Sequence, residues 1–210
     1  MEIKTLMEEV EKDITVLDTI DNQQLVWSLQ SNLNQIIEEN SNLAQRLELE
    51  QIIPLIYQIQ QASHIFVTAV GRSGFAMRSA AMRLMHLGFS VYFVGDTTTP
   101  AIKKGDLLIA ASGSGTTETI IRAADQSVNA GAKLVGITTN ATSKLAQLST
   151  HTIIIPAAEK EDHSKKISNQ YAGSLFEQFL LLLNDAIFQS LWKLSEKPAE
   201  LLWEKHSNLE

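Results

Sequence analysis

Ile109-Ala-Ala-Ser-Gly-Ser-Gly-Thr-Thr-Glu118 is the stretch that decides how this chain is read. An apolar run, Leu107 to Ala111, stops abruptly at two serines, two glycines and two threonines. A helical pattern follows through Ile120, Ile121, Ala124 and Val128. That order is strand, small hydroxyl-rich turn, helix N-terminus. Backbone N–H groups and the helix dipole favour an anion at such a place, and the hydroxyls add donors. Glycine lets the backbone approach a phosphate closely. Ser112, Gly113, Ser114, Gly115, Thr116 and Thr117 are therefore expected to hold a phosphate group. A single serine or threonine would only cap the helix. Four hydroxyls with two glycines exceed what a cap needs.

Outward from this stretch, strand and helix patterns alternate. Apolar runs at 64–70, 90–94, 107–111, 133–138 and 151–155 predict five strands. Helical patterns at 75–87, 143–148 and 171–194 fall between or after them. Near-continuous apolar strands separated by helices predict a parallel sheet covered on both faces. Right-handed crossovers make it a doubly wound five-stranded α/β sandwich. Ligands of such sheets gather at the carboxyl ends of the strands. Gly71-Arg-Ser-Gly74 lies at one such end, which adds Arg72 and Ser73 to the substrate-binding candidates. Ser73 has an alternative as a helix cap, and Arg72 as partner of a surface acid.

Residues 1–50 read as a helical N-terminal arm. Leu6, Val10, Ile14 and Leu17 repeat at helical spacing, as do Leu25, Leu29, Ile36 and Ile37. A further amphipathic piece covers 48–60, with Pro54 near its first turn, where proline is tolerated. Apolar stripes of this kind seldom stay exposed, so the arm is expected to meet another subunit. The α/β domain is expected over 51–197. Pro198 breaks the last helical pattern, and 198–210 reads as a tail free to cover an active site.

Composition narrows the function classes. The chain has 210 residues, 44% hydrophobic and 20% charged, which suits a globular protein. Its net charge of −7 argues against nucleic acid as a partner. It has no cysteine, so disulfides and thiolate metal sites are out, and a reducing cytoplasm fits. No apolar run is long enough to span a bilayer, and the polar N-terminal residues do not resemble a signal peptide. A soluble cytoplasmic protein with no membrane partner is expected.

A nucleotide is disfavoured. A phosphate-binding NTPase loop needs Lys-Ser/Thr after its last glycine, and here Thr116 and Thr117 follow Gly115. The dinucleotide fingerprint lacks its third glycine, because Glu118 stands there. Asp96, ending the second strand, is the one residue placed like a ribose-binding acid. The five histidines show no metal-ligand spacing, so no metal is expected. His64 and His151 open strands and read as structural, while His163 lies in a polar loop. His86 ends a helix, and His206 is in the tail. Glu177 stands in Gly173-Ser-Leu-Phe-Glu-Gln-Phe-Leu-Leu-Leu-Leu183, one turn into an apolar helix. Such a carboxylate either pairs with a cation or is tuned for proton transfer. The residues alone leave both open.

Together these residues resemble the sugar isomerase (SIS) domain family, whose members bind phosphosugars. Four blocks narrow the likeness to its 6-phospho-3-hexuloisomerase branch. They are Gly71-Arg-Ser-Gly74, Met82-Arg-Leu-Met-His-Leu-Gly-Phe89, Val94-Gly-Asp-Thr-Thr-Thr-Pro-Ala-Ile102 and Gly105 to Thr116. Gly173-Ser-Leu-Phe-Glu-Gln178 and the ending Lys205-His-Ser-Asn-Leu-Glu210 extend it. Gln170-Tyr-Ala172 departs from the family pattern, which has a proline and then a hydrophobic residue. The resemblance implies a cofactor-free isomerase converting D-arabino-3-hexulose 6-phosphate to fructose 6-phosphate in the ribulose monophosphate pathway of formaldehyde fixation. It implies Ser73 and the Ser112–Thr117 loop as phosphate holders and Glu177 as proton-transferring base. It implies His206 or His86 as a further acid or base, and a homotetramer whose subunits complete one another's sites. Two alternatives stand beside it: another phosphosugar isomerase, such as one acting on arabinose 5-phosphate, and a non-catalytic phosphosugar sensor.

Overall fold

The computed structural model describes residues 21–160, 162, 166–171 and 173–209. The chain divides into two compact units, Met1–Glu39 and Asn40–Glu210. The described part of the first is the leading stretch of helix α1 (Asn22–Arg46). Its side chains Trp27, Leu29, Leu33 and Ile37 are exposed. Leu6, Val10, Ile14 and Leu17 lie outside the described residues.

The second unit opens with the end of α1, a 3-10 turn (Leu49–Ile52) and α2 (Ile53–Gln61), with Pro54 in the first turn of α2. Strands and helices then alternate: β1 (Ile65–Thr68), α3 (Gly71–His86), β2 (Val91–Phe93), β3 (Leu107–Ala111), α4 (Glu118–Asn129) and β4 (Lys133–Thr138). They continue with α5 (Lys144–Leu148), β5 (His151–Ile154), the long α6 (Ser174–Ser195) and the short α7 (Ala199–Trp203). The five strands form one sheet in the order β2-β1-β3-β4-β5, and every pairing is parallel. This is the doubly wound α/β sandwich that the alternating pattern predicts.

Strand side chains point to alternate faces, and two cores result. Ile65, Val67, Leu107, Ile109, Val135 and Ile137 face one way, against α2, α3 and α6. Phe66, Leu108, Ala110 and Leu134 face the other, against Ile120 and Ala124 of α4 and Leu145 of α5. A strand buried on both sides has no polar face, so β3 reads as an unbroken apolar run. Leu43 and Leu47 belong to the first core, so the compact unit starts ahead of the boundary expected at residue 50. Leu202 joins the same core from the tail.

Two helix boundaries differ from the periodicity. Helix α3 starts at Gly71 rather than 75, and so takes the whole glycine turn into its first winding. Gly71 adopts a left-handed φ of 60°, and a Cβ on Gly74 would come within 3.1 Å of the Ala69 carbonyl oxygen. Only glycine lets this turn sit so tightly on the end of β1. Helix α6 starts at Ser174, because Gly173 before it is left-handed at φ 81°.

Ile137 is 0% exposed, in β4 between two paired strands. Ile137→Ala is expected to lower the unfolding free energy by about 2–5 kcal/mol, through lost burial and the cavity left behind. Urea denaturation measures it, and a loss under about 1 kcal/mol would contradict this packing.

Candidate active site

The strand order reverses between β1 and β3, and a cleft opens there at the carboxyl ends, as the rule for such sheets requires. Its volume is about 100 Å³. Ser73 lines it from α3, and Ser112, Gly113, Ser114 and Thr117 from the loop after β3. Lys160, Gly173, Phe176 and Glu177 close the opposite wall.

The loop is fixed by its own hydroxyls. Ser112 Oγ accepts a bond from the Gly115 N–H at 3.2 Å and lies 2.9 Å from Thr117 Oγ1. Ser114 Oγ accepts from the Thr116 N–H and hydroxyl at 3.3 and 2.9 Å. Thr138 and Thr139, at the end of β4, both donate their hydroxyls to the Gly113 carbonyl at 2.9 Å. Thr117 stands at the N-cap of α4, yet its hydroxyl makes no capping bond. The capping alternative therefore fails for Thr117: its hydroxyl is turned to Ser112. Gly115 has φ of 62°, and a Cβ there would collide with the Ser143 side chain. It shapes the loop without lining the cleft, and Thr116 faces solvent.

Arg72 and Glu177 meet at the mouth. The guanidinium lies 2.9 Å from Glu177 Oε2 and donates to Ser174 Oγ at 3.2 Å. Arg72 is thus the cation beside Glu177, and it is not among the residues lining the cleft. Asp96 is held by both ends of the Arg78 guanidinium, at 2.9 and 3.1 Å. That bond holds the Asp96 carboxyl below its ordinary range. Arg78 occupies the acid that a ribose would have needed. Among the described residues, no group of three or more histidine, aspartate and glutamate side chains comes together as a metal site. None of the described helices is long and apolar enough to cross a membrane.

The histidines stand elsewhere. His64 Nδ1 lies 2.9 Å from buried Asp106, at the amino ends of β1 and β3, the far end of the sheet from the cleft. His151 Nε2 contacts the Gln51 carbonyl at 2.6 Å, so both strand-opening histidines hold structure. His163 lies outside the described residues. His86 and His206 pair with each other, ring centres 4.3 Å apart. His86 ends α3, about 20 Å along the helix from Arg72. Neither histidine enters the cleft of its own chain.

Sequence reading missed Lys160 and the threonine staples of β4. The staples follow the fourth strand directly, in Thr138-Thr139-Asn140, and strand ends are where the site had to be. Lys160 lies in a charged loop with no periodicity to mark one lysine above another.

With this geometry in view, comparison with known proteins is direct. Residues 58–181 match the SIS domain. The chain belongs to the SIS domain family. It is 51% identical over 180 residues to the 3-hexulose-6-phosphate isomerase of Mycobacterium gastri, covering 86% of this chain and 90% of that one. It is 34% identical to the 3-hexulose-6-phosphate isomerase of Bacillus subtilis (strain 168), covering 84% and 96%. Among solved structures, it superposes on the hypothetical protein MJ1247 of Methanococcus jannaschii with a TM-score of 0.74 at 31% identity, covering 86% and 99%. That crystal structure is described as inferring a 3-hexulose-6-phosphate isomerase function.

His86 is 5% exposed, and burial first, then His206 and Arg83, lower its pKa from the ordinary 6.5. The unfolded chain then binds more protons than the native one at acid pH. The His86 contribution to stability is present above the unfolded value of about 6.5 and is lost as pH falls through the lowered native value. His86→Phe is expected to flatten that loss between about pH 7 and 5, read as urea midpoints. An unchanged slope would contradict the assignment.

Proposed function

We propose that this chain is a 3-hexulose-6-phosphate isomerase, converting D-arabino-3-hexulose 6-phosphate to fructose 6-phosphate through a 2,3-enediol. One observation carries the reading: Glu177 lines the same cleft as the hydroxyl-rich loop. The names of the relatives favour it. The loop from Ser112 to Thr117, with Ser73 opposite, binds the phosphate. Glu177 takes the proton from C2 and returns it at C3, on one face of the sugar. C2 is oxidised as C3 is reduced, so no external electron acceptor enters. With O6 phosphorylated, a C3 ketone cannot close a five-membered ring, and the substrate arrives open-chain. Arg72 orients the carboxylate through their 2.9 Å contact.

The protein is further proposed to act in the cytoplasm, in formaldehyde fixation by the ribulose monophosphate route, as a homotetramer with shared sites. Phe75 and Tyr171, 75% and 88% exposed, flank the cleft in sequence, and Val70 at its rim is half exposed. Exposed apolar side chains around a polar cleft favour cover by another copy. So does the exposed stripe of α1. His206, exposed on the tail, then acts by entering a neighbouring copy's cleft, with buried His86 packed behind its ring.

Glu177→Gln is expected to lower kcat by about 10²–10⁴-fold while phosphosugar affinity stays within about threefold. Turnover of 3-hexulose 6-phosphate and calorimetric binding of fructose 6-phosphate check it, and near-normal kcat would refute the assignment. Mixing Glu177→Gln with His206→Asn protein, after dissociation and reassembly, is expected to restore activity, because some clefts then receive both wild-type residues. No recovery would refute the shared site.

A further inference from the structure

We propose that Lys160 is the electrophile of this cleft: its ammonium group meets the oxygen charge that forms on the sugar as Glu177 removes the proton. The inference rests on the isomerase reading above and names a residue that reading does not use.

Position comes first. Lys160 lines the cleft together with Glu177, Ser112 and Ser73. A Cβ on Gly173 would lie 3.7 Å from Lys160 Cγ and 3.9 Å from Glu177 Oε1. The lysine stem and the carboxylate therefore flank one gap, open because residue 173 has no side chain. Three further bonds carry the ammonium onward from Cγ, within reach of a sugar oxygen lying against Glu177. Among the described residues, no ion pair ties Lys160 elsewhere.

Charge decides the role. The substrate's phosphate brings nearly two negative charges. Glu177 adds its own before it takes the proton, and an enediolate adds one after. The phosphate loop answers with neutral donors only, hydroxyls and backbone N–H groups. Arg72 is engaged with Glu177 and Ser174. Lys160 is thus the one cation among the described residues lining the cleft. It stands by Gly173 and Glu177, on the side of the carbon chemistry, so its target is the carbonyl rather than the phosphate. A compact ammonium on a flexible stem suits a charge that moves between adjacent oxygens.

The step balances without any further reactant. Glu177 takes the C2 proton, the C2–H electrons form the C2=C3 bond, and the C3 carbonyl pair becomes charge on O3. Lys160 pairs with that charge. The O2 proton passes to O3, the charge shifts to O2, and C3 takes the proton back from Glu177 as C2=O forms.

Lys160→Met and Lys160→Ala test it. Removing one such charge partner is expected to lower kcat by about 10²–10³-fold, with KM within about threefold. The isotope effect with C2-deuterated substrate should rise as proton removal becomes fully rate-limiting. Added ethylammonium should restore part of the Lys160→Ala turnover, which a merely structural role would not allow. Thermal melts matching wild type show that both variants fold. Unchanged kcat, or a loss carried by KM alone, would overturn the proposal, the second by making Lys160 a phosphate anchor. Wild-type protein is run on 3-hexulose 6-phosphate and arabinose 5-phosphate in parallel. Turnover of the pentose alone would overturn the substrate reading, and the same variants on that substrate would still decide Lys160. An inert wild-type chain would overturn the isomerase reading and this role with it.

Discussion

Strands β1 and β3 lie hydrogen-bonded side by side, yet the chain leaves them toward opposite faces of the sheet. Helix α3 follows β1 onto the face it shares with α6, and α4 follows β3 onto the face it shares with α5. The two connecting turns must part, and the cleft is the space between them. Everything else at the site depends on that divergence. It sets Ser73 opposite the Ser112–Thr117 loop, and it brings the starts of α3 and α6 together so that Arg72 reaches Glu177.

The loop that follows β3 is held still before any ligand arrives. Its hydroxyls bond within the loop, its Gly113 carbonyl takes two threonine hydroxyls from β4, and Gly115 leaves no room for a side chain beside Ser143. A loop fixed in this way loses little further freedom when a phosphate binds. In the proposed reaction, a phosphate anchored on so stiff a loop would let the length of the sugar set the position of C2 relative to Glu177, and such orientation supplies rate. The hydroxyls and backbone donors are neutral. Charge in the cleft is therefore set by few groups, Glu177 against Arg72 at the mouth and Lys160 within.

Much of this is legible in the sequence, for identifiable reasons. The five strands show as apolar runs because a sheet covered on both faces leaves them no polar side. The loop shows because four hydroxyls and two glycines between a strand and a helix have little other use. Glu177 shows as an anomaly on an apolar helix; of its two readings the structure meets the first, a cation partner, and it also sets the carboxylate on the cleft wall. What stayed hidden depends on three-dimensional placement. The start of α3 at Gly71 depends on that glycine's left-handed backbone and on the tight approach of Gly74 to the Ala69 carbonyl, which periodicity does not record. The distance of His86 from the cleft follows from the length of α3 and from which end of it meets the loop. The pairing of His86 with His206 joins residues 120 positions apart in a way no local pattern encodes. Lys160 is one cation in a charged loop until β5 delivers that loop to the edge where the other strands end.

The most direct test of this account is a crystal structure of the Glu177→Gln protein with fructose 6-phosphate bound. Phosphate oxygens are expected on Ser112, Gly113, Ser114 and Thr117, together with Ser73, and C2 or C3 within about 3–3.5 Å of the residue-177 side chain. A sugar bound in reverse, with its phosphate away from that loop, or seated outside the β1–β3 cleft, would contradict it.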